Sequence, residues 1–225
     1  MKERIAHICS QLTRTKIFAD IGCDHGYCTE YMLRKNLCEK AYISDISAKS
    51  LSKAETLLAK YVQAGKCIPV VANGLEGIPE SCDLVLIAGL GGEEMVEILK
   101  QKPLPVRFLL QPMKNSDKVR SFLLNKGARI EKDYTFSEGK VNRKYYDLIS
   151  GTAEGGDTYS EREIKYGRDN LNGISPTPFL YMMQEERDKI KERLTRSGMR
   201  AEGREKLEKL LFETETIIHE VTRDL

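Results

Sequence analysis

The stretch Ala19-Asp20-Ile21-Gly22-Cys23-Asp24-His25-Gly26-Tyr27 decides how this chain is read. The apolar run over residues 17–22 ends in glycine, and residues 27–35 continue with Tyr31 and Met32 near one helical face. That is the pattern of a strand, a tight turn and a helix. Gly22 and Gly26 flank the turn, where missing side chains let the backbone approach a ligand closely. The start of the following helix offers unpaired N–H groups to an anionic group such as a carboxylate. A full G-x-G-x-x-G dinucleotide fingerprint is absent, which argues against a nicotinamide cofactor.

Outward from this turn the same alternation recurs. Residues 41–45 predict a second strand, and Ser47 is placed to cap a helix running through Leu51, Ala54, Leu57, Leu58 and Tyr61. Further strands are expected over 67–72, 84–88 and 106–110, with helices over 93–99 and 117–125. Two closing strands, near 128–135 and 144–150, have no helix between them. Alternating strands and helices imply a mostly parallel sheet covered on both faces, and the final strand pair implies an antiparallel end. This is the element order of a doubly wound α/β, Rossmann-like methyltransferase, expected over residues 1–152.

Residues 151–156 look like a glycine-rich linker, after which an accessory unit is expected over 153–225. Leu180, Met183, Ile190 and Leu194 form one apolar stripe, and Leu207, Leu210, Leu211, Ile217, Ile218 and Val221 form another. A break at Ser197-Gly198 between them predicts an antiparallel helical hairpin of coiled-coil type.

The length suits one well-cored domain and a smaller appendage. No apolar run approaches the roughly 20 residues that span a bilayer, and residues 1–7 lack the apolar centre of a signal peptide, so a cytoplasmic protein without a membrane role is expected. Six scattered cysteines without a C-x-x-C pair, and three histidines, supply a metal site poorly. No metal is expected. Net charge is +2 but unevenly spread: residues 100–150 carry twelve Lys/Arg against five acids, whereas thirteen Lys/Arg meet sixteen acids from Gly151 onward. A solvated charged face accounts for the first segment as well as a polyanionic partner does, unless it borders the site.

Asp45 ends the second strand, 23 residues after Gly22, where a carboxylate can accept both ribose hydroxyls of an adenosine; capping the next helix is its plain structural alternative. Asn73-Gly74, after the third strand, can offer an amide or backbone N–H to the adenine edge. The loop Ile87-Ala88-Gly89-Leu90-Gly91-Gly92 lies where ligands of open α/β sheets bind and leaves room for a flat ring. It lacks the Asn/Asp-Pro-Pro-Tyr/Phe sequence expected for methylation of exocyclic amines.

These segments, together with Ala72-Asn73-Gly74-Leu75, Leu110-Gln111-Pro112, Lys144-Tyr145-Tyr146-Asp147, Ile164-Lys165-Tyr166-Gly167 and Ser175-Pro176, resemble the bacterial tRNA (adenine-22-N1)-methyltransferases, the TrmK family. The resemblance implies transfer of a methyl group from S-adenosylmethionine to N1 of an adenosine in tRNA. It implies a cofactor site formed by Asp20, Gly22, Asp24, His25, Gly26, Tyr27, Asp45, Ile46, Asn73, Gly74 and Ala88. On the target-base side it places Gly89, Gly91, Gln111 and Pro112. Asp24 is the candidate to stabilise the cationic product ring, with acceptance of cofactor-loop amides as its plain structural alternative. This chain departs from the pattern at Met113, where an Asn is expected after Gln-Pro. Lys114, Lys118, Arg120, Arg143 and Lys144 are candidates to neutralise tRNA phosphates without selecting a base. A monomer or weak homodimer is expected, since the hairpin stripe can serve either tRNA or a second copy. The rival readings are a small-molecule methyltransferase, which requires an enclosed apolar pocket, and a non-catalytic cofactor- or RNA-binding module.

Overall fold

The computed structural model describes residues 2–174, 176–196 and 199–223. In chain order the elements are α1 (Glu3–Gln11), β1 (Ile17–Ile21), α2 (Tyr27–Arg34), β2 (Lys40–Asp45), α3 (Ala48–Leu57), α4 (Ala59–Gln63), β3 (Cys67–Val71), β4 (Leu84–Leu90), α5 (Gly92–Leu99), β5 (Arg107–Pro112), α6 (Ser116–Asn125), β6 (Arg129–Glu138) and β7 (Lys144–Thr152). The chain continues through α7 (Glu161–Tyr166), α8 (Arg168–Leu171), α9 (Pro176–Thr195) and α10 (Ala201–Arg223).

The strands form one sheet in the order β3-β2-β1-β4-β5-β7-β6, parallel from β3 to β5, with β7 antiparallel to both neighbours. The expected α/β architecture and its antiparallel end are present. Strands buried on both faces need apolar side chains pointing both ways. In β1, Phe18 packs with Ile8, Met32 and Leu58 on one face, while Ala19 and Ile21 join Ile87, Met95 and Val119 on the other. Ser47 caps α3 by accepting the Ser50 N–H at 3.2 Å. The single helix expected through Tyr61 divides into α3 and α4 at Leu58, whose side chain is fully buried.

Three elements have no counterpart in the sequence expectations: α1, α7 and α8. Helix α1 buries Ile8 and Cys9 and packs on α2. Helix α7 starts at a capping box, in which Ser160 and Glu163 exchange side-chain-to-backbone hydrogen bonds. Gly151 and Thr152 belong to β7, where Gly151 pairs with Phe108 and Ile130, so the flexible linker expected over 151–156 is ordered in its first two residues. The expected break at Ser197-Gly198 and the Ser175 of the Ser-Pro motif lie outside the described residues.

Residues beyond β7 cover the free edge of β6. Asp157 accepts the Ile130 N–H at 2.7 Å, Asp169 accepts the Asp133 N–H at 2.8 Å, and Asn170 accepts the Thr135 N–H at 2.8 Å. An exposed strand edge is a template for aberrant pairing, and these side chains occupy it. Beneath them Arg120 is fully buried: its Nε donates to both Asp133 oxygens at 2.8 and 2.9 Å, and its terminal nitrogens donate to Asp147 at 3.0 Å and the Ile164 carbonyl at 3.2 Å. Burial opposes the guanidinium charge, but Asp147 and Asp133 outweigh it and hold the group above its ordinary value. Arg120 therefore cannot meet a tRNA phosphate, and its expected role is corrected: the position falls on the inner face of α6.

The hairpin rests on this assembly. Phe179, Leu180, Met183, Ile217 and Val221 enclose a small core with Tyr166 and Leu171, and Lys191 pairs with Glu215 at 2.7 Å across α9 and α10. Arg143 lies over the Tyr181 ring at 4.1 Å and Tyr145 donates to Glu185 at 2.6 Å, tying the β7 start to α9. Replacing Arg120 with Met leaves Asp133 buried without its partner. The expected cost is about 3–5 kcal/mol in a chemical denaturation series, together with earlier protease cleavage within residues 153–174; a variant as stable as the parent would remove this network from its structural role.

Candidate active site

The site lies beyond the carboxyl ends of β1 and β4, where the strand order reverses. A cleft of about 440 Å³ opens there, lined by Asp20, Gly22, Cys23, Asp24, His25, Tyr27 and Cys28 from the first turn, Leu86 and Ala88 from β4, and Lys2, Arg4 and Ile5 from α1. That volume is in the range of small-molecule and cofactor sites.

The β1–α2 turn uses a left-handed backbone at Gly22, Asp24 and Gly26. At Gly26 the requirement is double: φ is +71°, and a Cβ would stand 3.0 Å from Ala54 and Leu58 of the facing helices. This glycine lets α2 start against α3. The N–H groups of Gly22 and Cys23 donate to the Ser44 carbonyl at 2.8 and 3.0 Å, and Gly26 donates to Cys23. An anionic group at the turn is therefore left with the first amides of α2 rather than with those of the glycines.

Asp24 and His25 project outward; the Asp24 side chain is 63% exposed and lies 3.7 Å from both His25 Nε2 and Lys53 Nζ. The His25 ring stacks on Tyr27 at 5.5 Å between centroids, and Tyr27 remains 45% exposed. Asp20 behaves differently. It is buried beneath the turn, accepts the Thr29 hydroxyl at 2.8 Å, and burial pushes its carboxyl up to about 6 despite that bond.

Four other predicted cofactor residues are not part of this lining. Asp45 is half-buried at the end of β2, and its Oδ1 accepts the Ser47 N–H at 2.8 Å, so the helix-entry role weighed for it is real and leaves Oδ2 uncommitted. Ile46 is 72% exposed. Asn73 is exposed, while Gly74 is buried and its carbonyl accepts the Ser44 hydroxyl at 3.2 Å.

On the other side, the Gly89–Gly92 loop is zipped to the end of β5: Met113 N–H donates to Leu90 at 2.8 Å and Gly92 N–H to Lys114 at 2.9 Å. Any Cβ on Gly92 would collide with the Asn115 carbonyl, which is why the approach needs glycine. Gln111 and Pro112 do not face the cleft as expected. Both are buried, and Gln111 is consumed internally: Nε2 donates to the Pro112 carbonyl at 2.9 Å, and Oε1 accepts from Arg4 Nη1 at 2.6 Å. Arg4 stands at the cleft in their place, with Met113 Sδ 3.6 Å from the same nitrogen, so the departure at Met113 puts a weak sulfur acceptor beside the guanidinium. Nothing in the motifs pointed to Arg4, since its partners lie more than one hundred positions away.

Of the basic candidates, Lys114 is exposed and its Cε lies 3.4 Å from the Cβ position of Gly91; Lys118 is exposed but pairs with Glu93; Arg143 is engaged by Tyr181; Lys144 is exposed at the start of β7. Among the described residues no group of three or more His, Cys, Asp or Glu is placed to hold a metal ion, all six cysteines are free, and no helix is long and apolar enough to cross a membrane.

A seven-stranded sheet of this order, with a glycine turn after β1 opening a cleft against β4, defines a Rossmann-like methyltransferase. Residues 1–149 match the family described as "Methyltransferase domain", and the chain belongs to that family. A Mycoplasma genitalium relative, "Putative tRNA methyltransferase MG248", is 35% identical over 129 residues, covering 55% of this chain and 58% of the relative. The chain thus matches less than two thirds of that relative's length. The structure of M. capricolum TrmK in complex with S-adenosyl-homocysteine superposes with a TM-score of 0.84 at 21% identity, covering 98% of this chain and 99% of that one. The B. subtilis m1A22 tRNA methyltransferase TrmK gives 0.79 at 19% identity, with 97% and 98% covered. These likenesses extend the shared fold through the hairpin.

The raised Asp20 carboxyl has a stability consequence. In the unfolded chain the group ionises near its ordinary 3.8, whereas folded it holds its proton to about 6. Folding therefore takes up a proton between these values, and stability falls as pH rises from about 4 to 6, reaching a constant penalty of about 3 kcal/mol above. Asp20→Asn is expected to raise the melting temperature at pH 7.5 and to change it little at pH 4. Equal shifts at both pH values would show that burial does not set this titration.

Proposed function

We propose that this protein transfers a methyl group from S-adenosylmethionine to N1 of adenosine 22 in tRNA. The observation that carries the reading is the form of the cleft: Asp24, His25 and Tyr27 in its lining stay exposed, and Lys2 and Arg4 line its α1 side. An acceptor presented by a large polyanion suits such a mouth, whereas an enclosed apolar pocket for a small acceptor is not what these residues build. The family membership and the full-length likeness to two tRNA methyltransferases support the same reading.

The cofactor fits the residues present. The cleft has the volume of a small-molecule site; Asp45 Oδ2 is available for ribose hydroxyls, with the carboxylate fixed through its other oxygen; Asn73 stands exposed at the adenine end. When bound, S-adenosylmethionine supplies an electrophilic methyl group on a sulfonium. The chain's task is to hold the acceptor in line, because N1 of neutral adenine already carries a free lone pair. No general base is needed, and His25 serves as a wall stacked on Tyr27. As N1 is alkylated the ring becomes cationic, and the exposed Asp24 carboxylate lies within the lining to stabilise that charge. N1 is on the pairing edge, so the base enters unpaired or extruded from the stack.

Lys114 and Lys144 are the exposed candidates for phosphate contacts, and Lys118 joins them once its pair with Glu93 opens. Residues 153–225 brace the tRNA outside the cleft. Burial of Ile217 and Val221 against α9 favours a monomer over a dimer built on that stripe, and we place the protein in the cytoplasm. Incubation with labelled S-adenosylmethionine and unmodified tRNA bearing adenosine at position 22 is expected to yield 1-methyladenosine. Asp45→Ala should lower incorporation by at least tenfold through weaker cofactor binding. A protein that binds the cofactor yet labels no tRNA would refute the assignment.

A further inference from the structure

Three cations surround the acceptor side of the cleft without a carboxylate partner. Lys53 and Lys118 are each matched, by Asp24 and Glu93, but Lys2, Arg4 and Lys114 form no ion pair among the described residues. Arg4 carries the argument. It is half-buried, lies over the Tyr146 ring at 5.5 Å, and donates to Gln111 at 2.6 Å. Glu138 is held by the Arg4 backbone N–H at 3.3 Å and the Tyr146 hydroxyl at 3.3 Å, not by the guanidinium. A partly desolvated guanidinium held in one orientation and left without a counter-charge is costly unless an anion arrives to meet it. Its planar fork of donors suits phosphate.

The neighbours complete a concave edge. Lys2 and Arg4 both line the cleft from the start of α1, and Lys114, outside that lining, lies beside Gly91 just after β5. Gly89 stands between them, and even a methyl group there would approach Arg4 to 3.3 Å. We propose that Lys2, Arg4 and Lys114 form a grip for the RNA backbone phosphates beside the nucleotide whose base enters the cleft, with Arg4 coupling that grip to the end of β5 through Gln111. This rests on the tRNA reading above and adds to it the part of α1 that contacts substrate.

The test is the salt dependence of tRNA binding, measured by fluorescence anisotropy with S-adenosyl-homocysteine present, alongside cofactor affinity, melting temperature and turnover. Arg4→Gln is expected to weaken tRNA binding about tenfold and to reduce the slope of log K against log salt by about 0.7–0.9. Cofactor affinity should fall far less than tRNA affinity, and the melting temperature should drop by a few degrees with the protein still folded, because the buried Gln111 oxygen loses its donor. Arg4→Lys should retain the slope while still weakening binding, because it keeps the charge and loses the planar fork of donors. The double variant Lys2→Gln/Lys114→Gln should reduce the slope by about twice as much, whereas Lys60→Gln, on α4, should leave it unaltered. Unchanged slopes in Arg4→Gln and in the double variant, with both proteins folded, would overturn the grip. If the parent chain bound tRNA with the expected slope losses but methylated none, the grip would stand and the reaction would fall; if it methylated tRNA with no slope loss, the reverse would hold.

Discussion

The fold depends on one charge placed where water cannot reach it. Arg120 sits on the inner face of α6, and its guanidinium is satisfied only if β6, β7 and the residues leading into α8 close around it. The same carboxylate that accepts its Nε also accepts the Arg168 backbone N–H at 3.2 Å, so the antiparallel end of the sheet and the base of the hairpin share one acceptor. An apolar residue of similar size could fill this space. It would not define the register of α8 along β6, where three backbone N–H groups must find side-chain oxygens.

That fixed edge sets the far wall of the active site. The cleft needs β4 and β5 to end together, and Gly92 permits it by letting the two loops touch. Strand β5 is flanked by β7 rather than by a further parallel strand, so the β6–β7 turn comes back over α1, where Gly139 donates to Glu3 at 2.8 Å. The mouth is thus framed by the first and the sixth and seventh strands' surroundings at once, and the charge network at the back of the sheet holds that frame.

Much of this was legible in the sequence because it follows from short-range pattern. Apolar runs placed every strand, Ser47 marked a helix start, and the turn around Gly22 and Gly26 marked the ligand end of β1. What was not legible depends on partners distant in the chain. Arg120 carries the same letter whether it faces solvent or two aspartates, and the difference is made by strands that begin nine positions later. Gln111 reads in sequence as a substrate-facing residue, and in the fold a residue from the other end of the domain claims its oxygen. The six-residue α7 and four-residue α8 are too short to show periodicity, and α1 shows only two fully buried residues.

Helix α1 imposes an order on synthesis. It is synthesised before the groups that fix its start, which are Gln111, Glu138 and Gly139. Until β5 has been made Arg4 lacks Gln111, and until β6 and the turn after it have been made Glu3 lacks Gly139. The nascent chain can therefore complete β1 to β4 and their apolar faces well before it possesses a working mouth. The cleft is therefore finished only when nearly the whole sheet has been made.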